Sequence, residues 1–167
     1  MRVLPSNLEV AEELDKIAEE MEGPSRQERL IRMRREALYI MESLRDFHPR
    51  LVGSVWRGTV HQNSDIDILM FSSDPTVVLA RLQKSSFRVT RAEWSAVTKR
   101  GKKESSFHIH LALPSGDEAE VVVRSPEKMS LFDKCEIYGD LVTGLGYPQL
   151  RRILEENQLQ KFTPKQG

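Results

Sequence analysis

The chain has a single cysteine, Cys135, so no internal disulfide braces it and nothing asks for an oxidising compartment. No stretch approaches the roughly 20 consecutive apolar residues that a membrane-spanning helix needs. The opening Met1-Arg2-Val3-Leu4-Pro5 lacks the apolar core of a secretory signal, and the cytoplasm is the expected location. Net charge is also missing: 25 basic residues balance 25 acidic ones, which argues against a protein built to coat nucleic acid nonspecifically. There is no internal repeat and no low-complexity tract. What is present, 167 residues at 39% hydrophobic and 30% charged, fits one soluble domain with small helical additions. Two basic runs stand out, Lys99 to Lys103 and Arg26 to Arg35. Each reads either as a local patch or as a solvated turn or helix face.

Two helices are expected at the start. Ser6 with Glu9, and Ser25 with Glu28, have the spacing of capping boxes. The first helix sets Leu8, Leu14, Ile17, Ala18 and Met21 on one face and stops at Gly23-Pro24. The second sets Leu30, Met33, Ala37, Ile40, Met41 and Leu44 at helical spacing and ends near Pro49. Each buries one stripe, so the pair is expected to pack together and on the rest of the chain. Strands are read at Arg50 to Gly53 and Ile66 to Phe71, then a helix at Pro75 to Gln83 and β-favouring residues at Phe87 to Thr98. Phe107 to Leu113 and Glu118 to Val123 flank Pro114-Ser115-Gly116-Asp117 and make a hairpin. Beyond Pro126, helices are expected around Met129 to Tyr138 and from Pro148 to about Gln158, with Gly139, Gly144 and Gly146 between them and a frayed end at Thr163 to Gly167. The whole reads as an α/β (α+β) chain: N-terminal helices over 1–48, a core over 49–125 with a short mixed sheet, and a helical C-terminal segment over 126–167.

Asp65 and Asp67 lie two apart on a strand, so both carboxylates face one side while Ile66 and Ile68 face a core. Like charges placed together are costly unless a cation lies between them, and Mg²⁺ suits a few carboxylates plus substrate phosphates. Taken alone, Asp-Ile-Asp also describes an edge strand with two acids on its wet side. Upstream, Gly53-Ser54 follows a short apolar strand: a glycine lets backbone amides approach a phosphate chain, and the serine adds a donor. The ten residues between Ser54 and Asp65 suffice to fold the turn back toward the acids. Elsewhere, His108 and His110 share a strand face, too few for a structural zinc. If the hairpin register sets them opposite Glu120, they border the site instead. Arg57 either neutralises triphosphate charge or pairs with a surface acid. Trp56 either stacks on a base or is buried, and Cys135 reads as a small buried apolar residue.

The Gly-Ser turn, the spacer and the acid-apolar-acid-apolar strand together resemble the signature of the nucleotidyltransferase superfamily related to DNA polymerase β. Arg57-Gly58-Thr59 and Ser64 are similar to the spacer of its small members, and the context of Glu120 is similar to the third-acid strand of archaeal CCA-adding enzymes. The resemblance covers about Leu30 to Val123; the tail and body domains by which the larger CCA-adding enzymes grip transfer RNA are missing. It implies transfer of a nucleoside monophosphate from a nucleoside triphosphate, ATP first among candidates, to an acceptor hydroxyl, with release of pyrophosphate. It further implies that Asp65, Asp67 and Glu120 are catalytic and hold Mg²⁺ or Mn²⁺, and that Gly53, Ser54, Arg57 and Ser64 bind the nucleotide. Because the family's third acid is commonly Asp, Glu120 is metal ligand, base or solvent-facing, with Asp117 and Glu118 as its alternatives. The acceptor is an RNA end, a small molecule or a partner protein, the last as in antitoxin-type adenylyltransferases. An inactive module that only binds nucleotide or a partner is the alternative to an enzyme.

Overall fold

The computed structural model describes residues 4–99 and 101–164. Arg100 of the basic run and most of the expected frayed end lie outside the described residues. Two long helices, α1 (Asn7–Glu22) and α2 (Pro24–Ser43), precede β1 (Arg50–Val52), a five-residue helix α3 (Gly53–Arg57) and β2 (Ile66–Phe71). Helix α4 (Pro75–Lys84), the long hairpin β3 (Arg88–Lys99) and β4 (Lys102–Ala112), then β5 (Glu118–Arg124), β6 (Leu145–Gly146) and α5 (Tyr147–Glu156) complete the order. One sheet runs β3-β4-β5-β2-β1-β6. Within it β2 and β5 pair in parallel and the other pairs are antiparallel, giving the mixed sheet expected.

Period-two alternation divides the sheet. Ile66, Ile68 and Met70 of β2, Ala119, Val121 and Val123 of β5, and Ile109 and Leu111 of β4 are buried with Leu30, Met33, Ala37, Ile40 and Met41 of α2 in one core. The alternate residues Asp67, Leu69, Glu120, Val122, His108 and His110 are half-buried on the opposite face, so that face carries the polar chemistry.

Four expectations need correction. Ser6 caps α1 by accepting from Glu9 N, but α2 begins earlier than its expected Ser25 cap, at Gly23 with Pro24 in its first turn. The α1 stripe does not pack: Leu14, Ile17 and Met21 are exposed, and no residue of α1 is fully buried. The run Arg26 to Arg35 is neither patch nor solvated face throughout, since Arg26 and Arg34 are buried. Their guanidiniums reach the carbonyl of Val60, and those of Val55, Trp56, Gln158 and Gln160, respectively.

The fourth concerns Met129 to Tyr138, which forms no helix beyond a 3-10 turn at Pro126–Lys128. Its residues are claimed by distant partners. Arg50 stacks between Phe71 and Phe132 and donates to Met129 O, while Arg124 pairs with Asp133. Val142 N donates to Asp133 O at 2.8 Å and Cys135 N to Asp140 O at 2.7 Å, turning the segment back on itself at Gly139, whose φ is +77°. The segment is thus a strap held by tertiary contacts. No helix of the described residues is long and apolar enough to cross a membrane.

Candidate active site

Two strand pairings assemble the site. In the antiparallel β1–β2 register, Val52 lies opposite Asp67, so the chain leaves β1 beside that carboxylate. Gly53 turns it with φ +75°, and a Cβ built there would stand 2.5 Å from Asp67 Oδ2. Only glycine takes this conformation freely and leaves room for the acid. Gly53→Ala is therefore expected to destabilise the fold by about 1–3 kcal/mol, from left-handed strain plus displacement of Asp67. The midpoint of denaturant unfolding checks it, and an unchanged midpoint contradicts the contact.

The parallel β2–β5 register sets Asp67 beside Glu120 and Ile66 beside Ala119, and β4–β5 sets His110 opposite Glu120. Glu120 therefore shares the sheet face of Asp67, and in the hairpin register His110 lies opposite Glu120. The carboxylates feel one another. Burial, then the charges of Glu120 and Asp65, push Asp67 up to about 7. Burial, then Glu118 and Glu120, raise Asp65, while His110 and His61 pull it back. Asp65, Glu118, Glu120, His110 and Arg91 line one cleft of about 350 Å³; Asp67, His108, Val122 and Arg124 line another of about 330 Å³. A larger cleft of about 610 Å³, beside Tyr39, Phe87 and Leu113, contains none of the three carboxylates, so size is no guide to the chemistry here.

The turn after β1 is ordered by its own side chains. Ser54 Oγ donates to Ser64 Oγ at 3.0 Å, and Ser64 Oγ accepts from His61 N at 2.9 Å, so both serines of the spacer sit together at the turn. Trp56 is buried, its ring 6.5 Å from that of Phe162. Of the two readings of Arg57, phosphate ligand as the resemblance implies or partner of an acid, the structure has the second. Its side chain is buried, donates to Asp140 at 2.6 and 3.1 Å and to Phe162 O at 3.1 Å, and lies over the rings of Trp56 and Tyr138. It tethers the strap to α3. Asp117, an alternative third acid, is bonded to Arg32, which with Glu36 and Ser115 holds its carboxyl down at about 2.

The expected three-carboxylate cluster is not preassembled: among the described residues, no group of three or more His, Cys, Asp or Glu side chains is disposed to hold a metal ion. Glu120 Oε1 instead accepts from His108 Nδ1, whose Nε2 faces Ser106 Oγ at 2.8 Å. The donor chemistry still fits a hard cation held by one or two carboxylates and completed by water and substrate phosphates. Sequence reasoning missed two residues. Arg34 holds the last carbonyls of α3, and its signal was its place on the buried stripe between Leu30 and Ala37. Ser106 had no signal beyond its alternation with His108.

The family model described as nucleotidyltransferase domain matches residues 34–137, more than half the chain. No curated protein matches at a significant level. Among solved structures, a cytoplasmic RNA terminal U-transferase shares 16% identity over 67% of this chain and 35% of that one, with a TM-score of 0.38. The GLD-2/RNP-8 complex shares 15% over 75% and 45%, with a TM-score of 0.40. Cid1 in complex with the UTP analog UMPNPP shares 16% over 72% and 38%, with a TM-score of 0.41. The chain spans less than half the length of each of these chains.

Proposed function

The chain belongs to the nucleotidyltransferase domain family, and from that premise we propose that it transfers a nucleoside monophosphate from a nucleoside triphosphate to an acceptor hydroxyl, releasing pyrophosphate in a divalent-metal-dependent reaction. The observation that carries the reading is the register: Asp67 and Glu120 stand side by side on one sheet face, with Gly53 packed on Asp67 and the Ser54–Ser64 pair at the same turn.

In this reading Gly53 and Ser54 hold the triphosphate, with Ser64 orienting the Ser54 hydroxyl. Asp65 and Asp67 are the residues that would hold Mg²⁺ or Mn²⁺, which when bound neutralises charge on the triphosphate and the departing pyrophosphate. Glu120, held by His108, accepts the proton of the acceptor hydroxyl as its oxygen bonds to the α-phosphorus and the bond to the bridging oxygen breaks. Arg57 contributes by anchoring α3, not by touching phosphate. The test is pyrophosphate release from each labelled triphosphate, ATP first, with Mg²⁺ and fractionated lysate as acceptor source. Mg²⁺-triphosphate should also raise the melting temperature, because a ligand of the native state alone stabilises it. The engagement of Glu120 with His108 favours a second reading, a module that binds the triphosphate without turnover. A stabilising shift with no pyrophosphate from any fraction would establish that reading in place of the first.

A further inference from the structure

A surface helix ordinarily turns its apolar stripe to the body and its charges to water. Helix α1 does the reverse. Three of its acids are held against the body: buried Arg26 binds both Asp15 and Glu19, Lys161 Nζ lies 2.6 Å from Asp15 Oδ2, and Arg29 lies 3.0 Å from Glu22. Most of its large apolar side chains point outward, with Val10 43%, Leu14 61%, Ile17 42% and Met21 81% exposed, while Leu8 is half-buried. Rolling the helix to bury that stripe would pull both acids off Arg26 and leave a buried, uncompensated cation, which is strongly unfavourable. The ion pairs therefore fix the orientation in which the stripe faces solvent.

The stripe has the form of a docking seam. Positions 10, 14, 17 and 21 alternate four and three apart, the spacing by which one helix packs along another, and from Val10 to Met21 the seam runs about 17 Å. Its two flanks differ. Ala11 and Ala18, half-buried, form one and permit close approach; exposed Glu9, Glu13 and Glu20 form the other. A second copy of the chain is a poor occupant, because α1 carries six glutamates and Asp15 against Lys16 alone, and an anionic membrane is poor for the same reason. We infer that the Val10-Leu14-Ile17-Met21 face of α1 docks an amphipathic helix of a partner protein whose apolar stripe is flanked by lysine or arginine.

The probe is a synthetic helical peptide with leucine and isoleucine at seam positions and lysine on the flanks, titrated into the full chain by fluorescence anisotropy. A twin peptide carries glutamate flanks. The lysine peptide should bind at least tenfold more tightly than its twin and weaken as salt is raised. The double variant Leu14→Gln, Ile17→Gln should lose at least tenfold of that binding while its melting temperature stays within about 2 °C of the parent's, since both side chains are exposed. Equal binding of the two peptides, binding of neither, or undiminished binding by the variant would overturn the inference. So would sedimentation showing a parent dimer that the variant dissolves, or seam-dependent cosedimentation with phosphatidylserine vesicles.

Discussion

Under the proposed function Asp67→Asn should all but abolish nucleotide transfer, by a thousandfold or more, on the order of what loss of a metal-holding charge costs, and yet make the metal-free protein more stable at pH 8. The two effects share one cause. The Asp67 carboxyl is held at about 7 in the fold against an ordinary aspartate value of 3.8. Between these pH values the folded chain holds a proton that the unfolded chain has released. Stability contributed by this group therefore falls as pH rises from about 4 to about 7 and stays low above that window. The gap between the two values corresponds to a ceiling of about 4 kcal/mol, and asparagine, neutral throughout, removes it. The variant should melt about 5–10 °C above the parent at pH 8 and show no gain at pH 4. Mg²⁺ with triphosphate should narrow the gap at pH 8 by stabilising only the parent. A variant that melts with the parent at both pH values would show that the acids do not strain the fold.

Arg34→Met should be the most destabilising single change on the helical side, lowering stability by about 3–5 kcal/mol and the melting temperature by about 10 °C or more. The side chain is fully buried with no carboxylate partner among the described residues, and burial pulls its pKa down to about 10. It is kept there by four carbonyls at 2.7–2.9 Å, two from the end of α3 and two from the chain after α5. Methionine matches the volume but leaves those oxygens unpaired, and lysine, a single point donor, cannot span a fork of this shape. Arg34→Lys should therefore recover only part of the loss. Because α3 carries Gly53 and Ser54, transfer activity measured below the melting transition should also drop. Thermal unfolding of the two variants decides the matter; a methionine variant as stable as the parent would show that the four contacts contribute nothing.

Much of this was legible in the sequence where local pattern and tertiary demand agree. Strand β2 spans Ile66 to Phe71 as its alternation predicts, and the glycine at 53 is explained by the carboxylate it abuts. Reading Pro114 to Asp117 as a turn gave the β4–β5 hairpin, but the parallel pairing that sets Glu120 beside Asp67 joins distant strands and had no local signal. What failed did so where distant partners overrode local preference. Met129 to Tyr138 has helical spacing, but Arg50, Arg57 and Arg124 take its side chains and carbonyls. The apolar stripe of α1 gave the helix but not its rotation, because periodicity does not say which face an ion pair will hold inward. The sequence left Arg57 either a phosphate ligand or the partner of an acid, and only the fold supplies Asp140 to claim it.

The sheet order carries a consequence for how the molecule assembles. Strands β3, β4 and β5 follow one another through tight turns, and β1 to β2 is likewise a local connection, so each group can zip up early from nearby contacts. The join between them, β2 against β5, is the parallel and distant one, and its loop-closure entropy makes it the late step. Asp67 and Glu120 sit on opposite sides of that join. On that order Asp67 and Glu120 are expected to meet only as β2 and β5 join, whereas Asp65 and Asp67 are neighbours from the start.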